Sequence, residues 1–329
     1  MTTRRQLLQS VGGSLALSAM ALDARAQAAP PLLRQLTLVV GFPAGGGTDV
    51  AARVIAEGLR GRYAETVIVD NRVGGSGRLG AAYVKDAPAD GSVLLFTPAF
   101  PLAIFPHIYR KLPYDALADF TPVATTSKGA LGLSVGPAVP ASVRTAQEFV
   151  AWCKAHPDAA TYGAPAGGGQ HFAGVMFARR SGAPLRMVPY KGGAPSVTDA
   201  LGGHIASVVT PLSEVLPHVK EGRLRLLATT TRQRSRFTPD VPSMQELGWD
   251  VVFDDWSGLV APAKTPREVV ARLNALVGDI VRAPAGTAAL QNLGIDIDLN
   301  SPEDFAALYR TTWERYRDVV RSTGFTAED

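Results

Sequence analysis

Three consecutive glycines, Gly45-Gly46-Gly47, stand between the apolar run Leu36-Thr37-Leu38-Val39-Val40 and a helix-like segment that opens with Thr48-Asp49. Strand, glycine loop and helix in that order are the parts of an anion cradle, because unpaired N–H groups and the positive helix end converge there. The chemistry on offer is the holding of a phosphate or a carboxylate. The arrangement recurs along the chain. Residues 66–69 lead through Asn71-Arg72-Val73-Gly74-Gly75-Ser76-Gly77 into a helical stretch at 79–85. Residues 160–163 lead through Ala164-Pro165-Ala166-Gly167-Gly168-Gly169 into 172–180, and residues 187–190 through Lys191-Gly192-Gly193 into 196–201.

Several transforming chemistries lack their residues. The first loop has no Lys-Ser/Thr after its last glycine, so it is not a P-loop. Gly75-Ser76-Gly77-Arg78-Leu79-Gly80 fits G-x-G-x-x-G after a strand, but the next strand, 93–96, ends in Thr97-Pro98-Ala99-Phe100 without the acid that holds a ribose. Arg78 stands where a nucleophile elbow needs glycine. Histidines 107, 156, 171, 204 and 218 have no metal-ligand spacing, and no metal or cofactor is expected. Cys153 is the one cysteine, which excludes an intrachain disulfide, and its setting Phe149-Val150-Ala151-Trp152 reads as a buried helix thiol.

The remaining polar candidates divide between structure and ligand. Thr48 or Asp49 reads first as a helix N-cap, with Asp49 also placed to pair with Arg53 one turn on; a ligand amine or water is the other reading. His171 follows Gly169-Gln170 at a helix start, where it stays neutral and caps, packs or meets ligand. Tyr190 and Lys191 close a strand with a phenol and an ammonium, and Trp256 reads equally as core or as ligand wall. Asp254 and Asp255 point to opposite faces of a strand, so only one of them can face a cleft.

These loops need a scaffold that brings them together. Short strands alternating with helices imply parallel sheets covered on both faces, with the loops at the carboxyl ends of the strands. Glycine loops before residue 130 and again between 160 and 195 indicate two α/β lobes around a common cleft. Residues 29–132 plus 254–329 form the first lobe and 133–253 the second, so that two chain crossings make a hinge. Residues 1–28 read as an export signal: Arg4-Arg5, an uncharged stretch from 11 to 22, and small residues around Ala24-Arg25-Ala26-Gln27-Ala28. The apolar run is too short to span a bilayer, and Arg4-Arg5 suits either the general secretory or the twin-arginine route. Without those residues the formal charge of +4 falls to +2, which favours neither nucleic acid nor a membrane surface as partner.

Gly41-Phe42-Pro43-Ala44-Gly45-Gly46-Gly47-Thr48-Asp49 with Ala52-Arg53 resembles the first-loop signature of the Bug (Bordetella uptake gene) receptors, the extracytoplasmic solute receptors of tripartite tricarboxylate transporters. The likeness continues through Val69-Asp70-Asn71-Arg72, Lys111-Leu112-Pro113-Tyr114-Asp115, Val188-Pro189-Tyr190-Lys191-Gly192 and Gly258-Leu259-Val260-Ala261-Pro262. The resemblance implies a type II periplasmic-binding-protein fold that closes on a small carboxylated solute and delivers it to membrane permease subunits. It implies a periplasmic, monomeric, non-enzymatic receptor; a sensor feeding a histidine kinase and, further off, an exported hydrolase are the alternatives. The expected ligand-binding residues are Phe42, Pro43, Ala44, Gly45, Gly46, Thr48, Asp49, Gly75, Ser76, Thr97, Ala99, Phe100, Ala164, Gly168, Gly169, His171, Tyr190, Lys191, Asp254 and Trp256. Where the family's third loop is often rich in Ser and Thr, this chain has Thr97-Pro98-Ala99-Phe100-Pro101-Leu102, which points to an aromatic or partly apolar carboxylate.

Overall fold

Runs of β-branched and leucine residues form the strands, and the amphipathic stretches between them form the helices. The computed structural model describes residues 32–292 and 294–327, without the side chains at 254, 255 and 322. The expected export signal, residues 1–28, lies outside the described residues. In the first half, β1 (Leu33–Val40), α1 (Gly47–Leu59), β2 (Ala64–Asn71), α2 (Arg78–Lys85) and β3 (Val93–Pro98) alternate. Two single-turn helices, α3 (Phe100–Ala103) and α4 (Phe105–Ile108), then lead to the long strand β4 (Phe120–Val135). Alternation resumes with α5 (Ala146–Ala155), β5 (Thr161–Pro165), α6 (Gly169–Ser181), β6 (Arg186–Tyr190), α7 (Gly193–Leu201), β7 (Ser207–Pro211), α8 (Leu212–Lys220) and β8 (Arg225–Thr229). The chain ends with β9 (Asp254–Pro262), α9 (Arg267–Arg282), α10 (Pro284–Asn292), β10 (Asp296–Ile297) and α11 (Pro302–Thr323).

The strands follow the order β2-β1-β3-β9-β4-β7-β5-β6, with β8 and β10 also on β4. Pairing is parallel where helices cross over, β1 with β2 and β3, and β5 with β6 and β7. It is antiparallel wherever β4 or β9 takes part. β4 serves both ends of the structure. Residues 120–130 pair with β9, and residues 131–135 pair with β7 and β8. At the change-over, buried Thr230 joins three segments: its N–H donates to Leu131 O (3.0 Å), its Oγ1 donates to Phe253 O (2.6 Å), and Leu131 N–H donates to that Oγ1 (3.1 Å).

Helix α1 shows how the sequence sets the packing. Ala51, Ala52, Ile55, Ala56 and Leu59 recur on one face and are buried, packed in one cluster with Leu36, Leu38 and Val40 of β1. Burying a side chain such as Leu59 is worth about 2 kcal/mol. Helices α1, α6 and α7 each begin on a glycine, so the loops already supply the first helical turn. The tail packs against residues of both halves. Phe305 and Tyr309 pack edge-on against Trp256, whereas Tyr316 and Val320 share a core with Phe149, Tyr162 and Phe172 of the second half. Cys153 is buried in that core, as its setting indicates. Among the described residues no helix is long and apolar enough to cross a membrane, and no cluster of His, Cys, Asp and Glu is suited to a metal.

The shared strand makes a specific demand at Gly258, which faces the register shift of β4 at Thr125. A Cβ there would overlap the Ala124 carbonyl oxygen and lie 3.0 Å from the Thr125 Cα, both of them backbone. Gly258→Ala is therefore expected to cost about 2–3 kcal/mol by overpacking, read as a lower urea midpoint at unchanged m-value.

Candidate ligand-binding site

A cavity of about 520 Å³ opens at the carboxyl ends of the strands from both halves of the fold. Two of its borders are the same pentapeptide. Pro43-Ala44-Gly45-Gly46-Gly47 after β1 and Pro165-Ala166-Gly167-Gly168-Gly169 at the end of β5 have the same sequence and fold alike. In each loop the second glycine N–H donates to the proline carbonyl, Gly46 to Pro43 O at 3.4 Å and Gly168 to Pro165 O at 3.2 Å. The first glycine takes a left-handed φ, +83° at Gly45 and +75° at Gly167, which a side chain would strain. The second is an extended N-cap, and the third opens the helix.

In both loops the third helical residue turns its side chain back to the amide four residues earlier. Asp49 Oδ2 accepts from Gly45 N–H at 2.9 Å, and His171 Nδ1 accepts from Gly167 N–H at 3.2 Å. The loop amide is thereby satisfied. The first-turn amides of α1 and α6, at Gly47, Thr48, Gly169 and Gln170, have no acceptor within their helices, as at any helix start, and these four residues border the cavity. Two helix N-termini thus present amide hydrogens and positive dipole ends to one space, the arrangement that receives an anion.

Asp49 is not the N-cap, and it does not border the cavity. Gly46 caps α1, and the Asp49 carboxylate is fully engaged inside the loop. Besides Gly45 it accepts from Arg53 Nε (2.8 Å) and Nη2 (3.0 Å) and from Asn71 Nδ2 (2.9 Å). Burial pulls this carboxyl upward, but the hydrogen bonds from Arg53, Gly45 and Asn71 outweigh it and hold its pKa below the ordinary value. Asn71 also donates to Phe42 O at 3.0 Å, so one buried carboxylate ties α1, β2 and the cavity loop together.

His171 likewise does not border the cavity. Its ring is buried against Phe172 and, edge-on, against Phe325 of the tail, with centroids 5.1 and 4.6 Å away. Accepting the Gly167 amide at Nδ1 leaves the ring proton on Nε2, and burial lowers its pKa to about 4.

Other expected positions fall outside the cavity border for local reasons. Tyr190 donates to Asp199 Oδ2 at 2.7 Å, and burial first, with that bond second, pushes its phenol up to about 12. Thr97 is buried and donates to Pro98 O at 2.9 Å. Gly75, Ala164 and Gly168 shape the backbone behind the cavity without bordering it. The side chain of Asp254 lies outside the described residues. Those that do border it are residues 42–46, Thr48, Ser76, Ala99, Phe100, Gly169, Lys191 and Trp256. Trp256 is both wall and core, with a buried Nε1 that has no partner among the described groups. Phe42 and Phe100 meet edge to face at 5.6 Å. The glycines of the G-x-G-x-x-G pattern serve packing: a Cβ on Gly41 would lie 2.5 Å from the Gly77 Cα, and one on Gly80 would lie 3.1 Å from the Gly41 Cα.

Residues 211–214 also border the cavity and were not anticipated, nor were those of β4 from 127 to 131 apart from Lys128. Pro211-Leu212-Ser213-Glu214 passes from β7 into α8 with no glycine, so the pattern that found the other loops is absent. The available signal was the strand-to-helix junction itself. Ser213 also reaches the first loop: a Cβ on Gly47 would lie 3.1 Å from its Oγ.

The model of the tripartite tricarboxylate transporter family receptor matches residues 51–325. The chain belongs to this receptor family. Protein BugT of Bordetella pertussis is 32% identical over 97% of this chain and 98% of its own. The family fold is shared in three dimensions with Rpa4515 of R. palustris, solved with adipate (TM-score 0.84, 32% identity, 89% of this chain and 98% of that one). MatC of Rhodopseudomonas palustris, solved with bound malate, superposes with a TM-score of 0.79 at 28% identity over 87% of this chain and 99% of that one. The resemblance read from the glycine loops and the two-lobe periplasmic-binding fold it implied are thus both found.

Two outcomes follow from the reach-back side chains. Asp49→Ala leaves the Gly45 amide without its acceptor and Asn71 with Phe42 O alone, and is expected to cost about 1–3 kcal/mol in thermal or urea unfolding. His171 makes stability depend on pH with a definite sign. Its folded pKa lies below the unfolded value of about 6.5, so the unfolded chain binds the extra proton. Stability is then expected to fall as pH drops from about 6.5 to about 4, by on the order of 3 kcal/mol from this group. His171→Asn, which keeps an acceptor and cannot titrate, flattens that stretch of the urea-unfolding profile.

Proposed function

We propose that this protein is a periplasmic receptor that closes on a small organic carboxylate with an apolar body and passes it to membrane permease subunits. The observation that carries the reading is the pair of Pro-Ala-Gly-Gly-Gly loops, each opening a helix onto the same cavity. Charge-assisted bonds from backbone amides contribute roughly 1.5–3 kcal/mol each. Two or three of them with cleft desolvation reach about −8 kcal/mol, a micromolar affinity. No arginine borders the cavity among the described residues, so amides, hydroxyls and the Lys191 ammonium are left to do this work.

The rest of the wall favours carbon over oxygen in the ligand. Phe42, Phe96, Phe100, Leu131, Phe253 and Trp256 border the cavity, and the third loop contributes Pro98, Ala99 and Phe100 in place of hydroxyls. Adipate in Rpa4515 is a ligand of that kind, a four-methylene chain between carboxylates. Holding rather than transforming is the reading that the border residues support. Among described side chains at its border, only Lys191 and Glu214 ionise, and no histidine borders it to activate a serine. The receptor acts as a monomer, and its export takes either route that Arg4-Arg5 serves.

Thermal shift followed by calorimetry tests the reading. Benzoate-like acids or medium-chain dicarboxylates are expected to raise the melting temperature by several degrees and to bind at micromolar Kd. A preference for citrate over all of them would refute the apolar body. A flat response to every carboxylate would refute the receptor reading.

A further inference from the structure

Glu214 is the third residue of α8, and at that position this chain shows a rule to which Glu214 is the exception. Asp49 in α1, Glu148 in α5 and Asp304 in α11 hold the same place, and each turns back to its own helix start. Asp49 accepts from Gly45 N–H at 2.9 Å, Glu148 Oε2 from Arg144 and Thr145 N–H at 2.7 and 2.9 Å, and Asp304 Oδ2 from Ser301 Oγ at 2.8 Å. Glu214 has no such partner: the N-cap of α8, Pro211, has no amide hydrogen, and the hydroxyl of Thr210, four residues back, is itself without a partner. Its Oε2 is instead buried with no hydrogen-bond partner. The carboxyl lies over the first residue of α7, where a Cβ on Gly193 would overlap Oε2, and the side chain borders the cavity.

No charged neighbour compensates it. Lys191, after β6, borders the same cavity but makes no ion pair with Glu214. One turn further along α8, the His218 Nδ1 meets Arg223 Nη2 at 2.8 Å. On α7, Asp199 is taken by Tyr190. The loop from the first half brings only Asp49, which is held by Arg53. Burial alone acts on the Glu214 carboxyl and pushes its pKa up to about 7.

A buried acceptor without a donor is a costly feature to leave in a cavity wall, and a bound ligand can supply the donor. We propose that Glu214 determines specificity in this cavity by accepting a hydrogen bond from a donor on the ligand, an ammonium or a hydroxyl separated from its carboxylate by a short apolar chain. The proposal rests on the carboxylate reading of the site and narrows it: one end of the ligand meets the helix N-termini at Gly47 and Gly169, and the other meets Glu214. Donation to Glu214 favours its ionised form, so capture near pH 7 releases protons. A second carboxylate at the same place would instead have to share a proton with Glu214 and would take protons up.

Calorimetric titration of the purified protein at pH 7, in buffers of different ionisation enthalpy, separates these cases. The probes are 4-aminobutanoate, 5-aminopentanoate and 6-aminohexanoate, their ω-hydroxy counterparts, the unsubstituted acids of equal length, and succinate, glutarate and adipate. At least one donor-bearing acid is expected to bind tenfold or more tightly than its unsubstituted counterpart, with net proton release for the amino acids. In Glu214→Met that ratio falls to near one, and in Glu214→Gln it falls for the amino series. Melting temperatures of both variants confirm folding; removing an unpaired buried acceptor is expected to leave Glu214→Met at least as stable as the parent. Equal affinities with and without the donor, or tightest binding of a dicarboxylate with proton uptake, would overturn the role of Glu214 while leaving the carboxylate reading in place. If no acid of any series binds, both are overturned.

Discussion

The first amides of an α-helix have no acceptor inside it, and this protein brings two such helix starts to one cavity. The rest of the site is arranged to keep those amides available. A side chain that capped the first turn directly would occupy those amides. In α1 and α6 the N-cap is therefore glycine, and the polar side chain comes from the third helical residue, which satisfies the loop amide behind the first turn. Asp49 and His171 look like site residues because they sit inside the motif. Both accept from a loop amide, and neither borders the cavity.

That loop geometry is supported from farther away than the motif itself extends. The Asp49 carboxylate is anchored by Asn71 at the end of β2, and His171 by packing against Phe325 near the other end of the chain. β4 carries residues of both halves in one strand and itself borders the cavity midway, at Ser127 and from Gly129 to Leu131. Thr230 links the β4 backbone at Leu131 to the approach to β9 at Phe253. Cavity walls and the segments joining the two halves are thus partly the same residues. Movement of one half against the other would alter the cavity directly.

Three kinds of polar group at this cavity depart from the usual satisfaction of buried groups. The first-turn amides are donors without acceptors in their helices, Trp256 Nε1 is a buried donor without a partner, and Glu214 Oε2 is a buried acceptor without one. Elsewhere many buried polar atoms are paired, as at Tyr309 with Ala116 O and Tyr162 with His171 O, though the hydroxyls of Ser134, Thr210 and Thr238 are not. At the cavity, unpaired groups of both kinds, donor and acceptor, stand in an otherwise aromatic and aliphatic wall where a ligand could pair them.

Sequence alone carried the alternation of strands and helices, the glycine loops and the family to which the chain belongs, because periodicity and loop composition are local properties. It also carried twelve of the positions that border the cavity, since glycine loops after strands must gather at one end of a sheet. Direction of side chains was beyond its reach. Whether Asp49, His171 and Tyr190 face a ligand or the protein depends on partners at Asn71, Phe325 and Asp199, and the first two are distant in sequence. Residues 211–214 stayed invisible because proline and leucine, not glycine, make that strand-to-helix junction. Only the tertiary structure decided that Glu214 stands unpaired in the wall, for its isolation arises from a missing N–H at Pro211 and the approach of Gly193 on the next helix.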